Sequence, residues 1–303
     1  MTVRTGDGLS LAVQVRGEGP TVVAVHGYPD DHHVWDGVAD ALVGSGHRVV
    51  TYDVRGAGAS GVPGDRAGYD LELLAADLRA VCDAVSPAEP VHLLAHDWGA
   101  IQTWHAVTGD ALTGRVASFT SISGPCLDHV ARFLGRRARR DLPAVARQML
   151  HSWYTVFFRI PVLPELLIRS GLLGRIVARS ERIAPPDPAD AVHGLELYRR
   201  NLPRRLGNPQ IRRTDLPVQI LCPRRDAYVG TDMAVSAAPF APDLRVRHLP
   251  GGHWVVRHRP DEVAGPVAEL VAETTGDTVA PGLERARTLG SALVATGGRA
   301  LGR

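Results

Sequence analysis

The stretch "VHLLAHDWGA", residues 91–100, is an apolar run that ends on His96-Asp97-Trp98-Gly99. A buried strand does not finish on a carboxylate unless the chain turns there and presents it outside the core, because an unpaired buried charge is costly. Ala95-His96-Asp97-Trp98-Gly99 fits the sharp strand-to-helix turn usually written G-x-S-x-G, whose middle residue stands out over the end of a sheet. Small residues at the ends let the strained turn pack against its neighbours, and alanine serves at the first position. Aspartate in place of serine changes the chemistry. With an ordinary pKa of about 4, a carboxylate is already ionised at neutral pH and needs no base to become a nucleophile. It attacks saturated carbon and leaves an alkyl ester, whose hydrolysis needs a base to activate water, an acid to orient that base, and donors for the oxyanion.

Outward from this turn, "LAVQV" (11–15), "TVVAVH" (21–26), "HRVVTYD" (47–53) and "VASFTSIS" (116–123) read, like 91–97, as short β-branched strands buried on both faces. Helical patterns alternate with them, notably "DLELLAADLRAVCDAV" (70–85), so the class is α/β with a mainly parallel sheet. The alternation stops after Ser123. From Asp128 to Arg213 the chain is helical, Arg-rich and interrupted by proline, and "VQILCP" (218–223) and "LRVRHLP" (244–250) then resume the strands. We therefore expect a core of residues 1–127 and 214–276, a helical cap of residues 128–213 that excludes water from a site below it, and a loose tail of residues 277–303. The last helix of the core is expected at "DEVAGPVAELVAETTG" (261–276).

The 303 residues carry a net charge of +2, which gives no long-range attraction to nucleic acid or to a membrane as a whole. Between Asp128 and Arg213, however, stand seventeen arginines against seven acids, half of all 34 cations. These either solvate amphipathic helices or meet an anionic partner. Cys82, Cys126 and Cys222 have no metal or disulfide spacing and read as buried thiols. No apolar run approaches the roughly 20 residues of a membrane span, and the first residues show no leader pattern, so the expected location is cytoplasmic. Neither a G-x-G-x-x-G after a first strand nor a metal-spaced cluster is present, so no cofactor and no metal are expected.

Candidates for the remaining roles follow in chain order. "LCPRRDAYV" sets Asp226 just past a strand and "LPGGHWV" sets His253 past the next, in the order nucleophile, acid, base. Asp128, after the strand at 116–123, competes for the acid's role.

The motifs "HGYP" (26–29), "YDVRGAGAS" (52–60), "AHDWGA" (95–100), "SFTSISGP" (118–125) and "GGHW" (251–254) together resemble the α/β-hydrolases with aspartate nucleophiles, most closely the epoxide hydrolases, over roughly residues 5–272. The resemblance implies an eight-stranded, mainly parallel sheet flanked by helices, with an inserted helical cap. It implies an oxyanion hole from the backbone N–H groups of Tyr28 and Trp98, a structural rather than catalytic His26, and a cis peptide before Pro29. Epoxide hydrolases place one cap tyrosine four residues before a phenylalanine, as Tyr154 stands before Phe158, and a second before an arginine, as in Tyr198-Arg199. Family members often have glutamine where this chain has Arg159. Some actinobacterial relatives carry a short-chain dehydrogenase domain behind such a hydrolase, which this chain is expected to lack.

Haloalkane and fluoroacetate dehalogenases share the elbow aspartate. Many of the former have asparagine where Tyr28 stands, and the latter have arginine where Trp98 stands, although Trp98 also occurs in haloalkane dehalogenases. The expected activity is thus cofactor-independent hydrolysis of an epoxide to a vicinal diol, with Asp97, Asp226, His253, Tyr154 and Tyr198 catalytic. Dehalogenation by the same aspartate, or a non-catalytic ligand-binding scaffold, are the alternatives. The expected partners are the small-molecule epoxide and water, with no nucleic acid or membrane, and a homodimer is compatible with this reading.

Overall fold

A buried strand that carries helices on both sides must be apolar along its whole length, and β3 (Thr21–Val25) meets that condition. Val22 and Ala24 enter one core with the helix α1 (Asp36–Gly44), while Val23 and Val25 enter the opposite core with α2 (Leu71–Val85) and α3 (Trp98–Val107). The computed structural model describes residues 1–138, 142 and 152–276. Around β3 it builds one eight-stranded sheet in the order β1-β2-β4-β3-β5-β6-β7-β8. The other strands are β1 (Thr2–Arg4), β2 (Ser10–Arg16), β4 (Arg48–Tyr52), β5 (Val91–His96), β6 (Val116–Ile122), β7 (Val218–Pro223) and β8 (Leu244–Leu249). From β4 to β8 all neighbours are parallel, and β1 and β2 are added antiparallel at one edge.

Two departures from the expected strands lie at the sheet's edges. β2 is not buried on both faces: Leu11 and Val13 face the core while Ala12 is half-buried and Gln14 exposed, the alternation of an antiparallel strand with one wet side. β1, three residues long, adds a strand the sequence does not mark, because so short a segment has no period to read.

Between β6 and β7 the chain forms α4 (Leu127–Ala138), α5 (Trp153–Phe157), α6 (Leu163–Arg169), α7 (Leu172–Glu181) and α8 (Pro188–Gly207). After β7 come α9 (Thr231–Ala234), α10 (Val255–His258) and α11 (Pro260–Thr275), the last packing beside α1 on the sheet. Part of the expected cap, residues 139–141 and 143–151, and the expected tail, residues 277–303, lie outside the described residues.

Much of the arginine excess is explained by α8. Arg200 and Arg204 both meet the carboxylate of Asp70, the residue before α2, and Arg205 meets Glu72 in the first turn of α2. Between them the fully buried Asn201 accepts from the Leu71 N–H at 3.1 Å and donates to the Tyr69 carbonyl at 2.9 Å. A helix dense in arginine is therefore fastened to the sheet side of the molecule through charge-assisted bonds. None of the helices among the described residues is long and apolar enough to cross a membrane.

Candidate active site

β5 ends at His96 and α3 begins at Trp98, so Asp97 alone makes the turn. Its φ of 52° and ψ of −124° place a non-glycine residue in the left-handed half of backbone space, the strained geometry of an elbow. Such a turn survives only where its neighbours are small. A Cβ on Gly99 would lie 2.2 Å from the Val25 carbonyl oxygen, and one on Gly124 would lie 2.0 Å from that of Asp97. The expected glycine at the turn's end is thus required by the adjacent strand β3, and a second glycine, in "SFTSISGP", supports the elbow from β6.

Three strand ends bring the predicted residues together. Asp226 follows β7 and His253 follows β8. The His253 Nδ1–H points at Asp226, 3.1 and 3.2 Å from its two oxygens, and Nε2 lies 3.5 Å from Asp97 Oδ2. The Asp226 carboxylate also accepts the N–H groups of Tyr228 at 2.8 Å and Val229 at 3.0 Å. Asp128, the rival acid, is engaged elsewhere: it accepts from the Gln210 N–H at 2.7 Å and pairs with Arg212 at 3.0 Å.

Burial alone would raise the Asp226 carboxyl, but the charge and hydrogen bond of His253, with the backbone donors, hold it at about 2. Burial would likewise depress His253, yet Asp226 and Asp97 together raise it to about 10. The resting imidazole is therefore a cation between two carboxylates.

The Tyr28 N–H donates to Asp97 Oδ1 at 2.7 Å, and Trp98 is the first residue of α3, where backbone N–H groups have no intrahelical acceptor. The Tyr28-Pro29 peptide is cis. His26 is fully buried, accepts the Val54 N–H at 3.0 Å and donates to the Gly27 carbonyl at 2.9 Å, so it braces the turn after β3.

A cavity of about 940 Å³ opens over Asp97 and His253, and Tyr28, Tyr154, Tyr198 and Tyr228 line it. Tyr154 sits on α5 and Tyr198 on α8, with ring centroids 6.2 Å apart. The four-residue spacing holds: the Phe158 N–H donates to the Tyr154 carbonyl, and the two rings meet edge-on at 5.8 Å. Arg199 explains why an arginine follows the second tyrosine. Its guanidinium donates to the carbonyls of Phe158 at 3.0 Å and Ile160 at 2.9 Å and pairs with Glu165 at 2.6 Å, so α8 holds the end of the helix that carries Tyr154. Arg159, by contrast, is exposed. Burial, reinforced by the nearby Asp97 charge, raises both phenols well above their ordinary range, so they stay protonated as donors.

Several supporting residues stand outside the candidates the sequence marks. The Tyr228 ring packs tilted against His253 at 4.7 Å and edge-on against Tyr154 at 5.4 Å, and its place two residues after Asp226 is the available sign. The His96 imidazole donates to the His253 carbonyl at 2.9 Å, and burial keeps its pKa at about 4, hence neutral. Asp30, next to "HGYP", accepts from the Trp254 indole at 2.8 Å and from Arg257 at 2.7 Å, fixing the loop that carries His253.

The sheet order and the elbow, with Asp226 and His253 at the following strand ends, are those of an α/β-hydrolase. The family described as alpha/beta hydrolase fold matches residues 20–257, and the chain belongs to it. Among its relatives is the probable oxidoreductase EphD of Mycobacterium tuberculosis, 35% identical over 310 residues, covering 94% of this chain and 51% of that protein. The chain thus spans about half the length of this relative. Epoxide hydrolase A of the same organism is 37% identical over 123 residues, 40% of this chain and 37% of the relative. The crystal structure of a Bacillus megaterium epoxide hydrolase with an inhibitor superposes with a TM-score of 0.75 at 20% identity, over 89% of this chain and 99% of that one. The fold is shared with epoxide hydrolase structures, and the chain is an epoxide-hydrolase-like α/β-hydrolase.

Proposed function

We propose that the chain hydrolyses an epoxide to a vicinal diol through an alkyl ester on Asp97, with the helices between β6 and β7 as the cap of the site. The observation that carries this reading is the pair of protonated phenols, Tyr154 and Tyr198, in one cavity with the Asp97 carboxylate. An epoxide oxygen leaves as an alkoxide and requires an O–H donor, whereas a halide leaves as a weak base. The cavity supports the first: Tyr154 and Tyr198 bring two phenols to it, while the Tyr28 hydroxyl already donates to the Ala191 carbonyl at 2.9 Å and the indole of Trp254 to Asp30.

In the first step an Asp97 oxygen attacks one epoxide carbon from the side opposite the C–O bond. That bond breaks, and its electron pair stays on the oxygen, which takes a proton from Tyr154 or Tyr198. Alkylation removes the Asp97 charge, one of the two that hold His253 protonated, so His253 gives up its proton, which restores the phenol that protonated the epoxide oxygen, and becomes the base. Water then gives a proton to His253, whose ring Asp226 orients, and attacks the ester carbonyl. The N–H groups of Tyr28 and Trp98 hold the oxyanion; its collapse breaks the ester C–O bond, the leaving alkoxide takes the proton of the newly added hydroxyl, and the diol departs with the Asp97 carboxylate and the protonated His253 restored.

The reading is tested by a single turnover in oxygen-18 water with protein in excess over a small aryl epoxide. Unlabelled diol, with the label appearing in Asp97, is the expected result. Labelled diol in that first turnover would mean direct attack by water, and the ester route would fall.

A further inference from the structure

One face of the helical insertion is unaccounted for by the chemistry. Eight of the fourteen exposed large hydrophobic side chains among the described residues fall between Trp153 and Ile176. Besides those two they are Val156, Ile160, Val162, Leu163, Leu166 and Leu172, all on or beside α5, α6 and α7. Scattered exposed apolar residues are ordinary, but a concentration of this kind marks a contact surface. Its place is defined by the cavity, since Trp153, Arg175 and Ile176 are at once exposed and part of the cavity's lining. The patch is the outer rim of the active site.

Cations outnumber acids on this rim. Arg159, Arg169, Arg175, Arg179 and Arg182 are exposed, and none makes an ion pair with a described residue, unlike the arginines of α8. Of the two carboxylates in the same segment, Glu165 is taken by Arg199 and Glu181 borders the cavity. The backbone also holds an apolar residue outward at a cost. Val162 has φ 70° and ψ −45°, and the Leu163 N–H donates to the Pro161 carbonyl at 2.8 Å, a tight three-residue turn strained for a β-branched side chain. That strain leaves Val162 63% exposed, so nothing in the core accounts for it.

We propose that this face docks on an anionic lipid surface, and that a water-insoluble epoxide passes from the lipid through the rim into the cavity. The second half rests on the epoxide reading, and the first does not. Short helices with exposed apolar residues enter the boundary between headgroups and acyl chains, and arginines beside them meet lipid phosphates. A second copy of the chain satisfies the apolar residues less well, because a two-fold contact sets the five arginines against their own equivalents. The whole-chain charge of +2 conceals the feature, since the balancing acids lie elsewhere.

The test is co-sedimentation of the full chain with vesicles of phosphatidylcholine alone, or with about one-third phosphatidylglycerol. The expected result is binding to the anionic vesicles at least about tenfold stronger than to the neutral ones, and weakened at about 0.5 M salt. The double variants Leu166→Ser with Val162→Gly, and Arg169→Glu with Arg179→Glu, change residues outside the cavity. Each should weaken binding by at least about tenfold without lowering the melting temperature or changing the turnover of a water-soluble epoxide. Absent binding, or equal binding to both vesicles, overturns the proposal. So does a concentration-dependent doubling of mass in sedimentation velocity that the same variants abolish, which assigns the face to a second copy. A chain that binds anionic vesicles yet opens no epoxide upholds the docking and overturns the substrate route.

Discussion

At the scale of single residues, the account turns on two tyrosines and one histidine whose protonation the site controls. If Tyr154 and Tyr198 share the leaving oxygen, either phenylalanine variant should lose about 10- to 100-fold in kcat, and the double variant about 10⁴-fold, as measured by diol formation. The histidine makes a prediction about stability. His253 is raised from 6.5 to about 10 in the folded chain, so the folded state holds a proton that the unfolded state releases in that interval. Its contribution is complete below about 6.5 and is lost as pH climbs through about 10. Thermal midpoints should therefore fall between those values, and fall less in His253→Gln; identical slopes for the two chains would count against the raised ring. Asp97 and His253 were legible in the sequence because each stands where an apolar run stops on a polar residue. Tyr228 and His96 were not, because an aromatic ring or a buried imidazole shows its role only through what packs against it.

At the scale of elements, α8 is both the wall that presents Tyr198 and the clamp that fixes the insertion to the sheet. Asn201 concentrates that second task, since its amide satisfies two backbone groups of the segment before α2. Replacing it with leucine leaves a buried N–H and a buried carbonyl unpaired, and should cost about 2–4 kcal/mol in urea unfolding. The interior strands were readable because burial on both faces leaves a continuous apolar run. The edges were not: β1 has too few residues for a period, and β2 follows the alternation of its antiparallel pairing. The arginine excess was visible as composition, but its division into paired residues on α8 and unpaired ones on α5 to α7 depends on which acids the fold brings within reach.

At the scale of the whole molecule, the sheet supplies three rigid strand ends, and the insertion supplies donors and closes a cavity of about 940 Å³ over them. That volume lies near the upper end for small-molecule sites. The order Asp97, Asp226, His253 could be read in advance because the sheet order maps chain position onto neighbouring strand ends, whereas the cavity's extent depends on helix packing that no local pattern encodes. The central claim is the covalent ester on Asp97, and the most direct measurement is the intact mass of the His253→Ala chain after exposure to a panel of epoxides and haloalkanes. Without its base the ester should persist, so the account predicts a gain equal to the whole epoxide, absent when Asp97 is also replaced. A gain of an alkyl group without its halogen, or an epoxide adduct that survives replacement of Asp97, would contradict it.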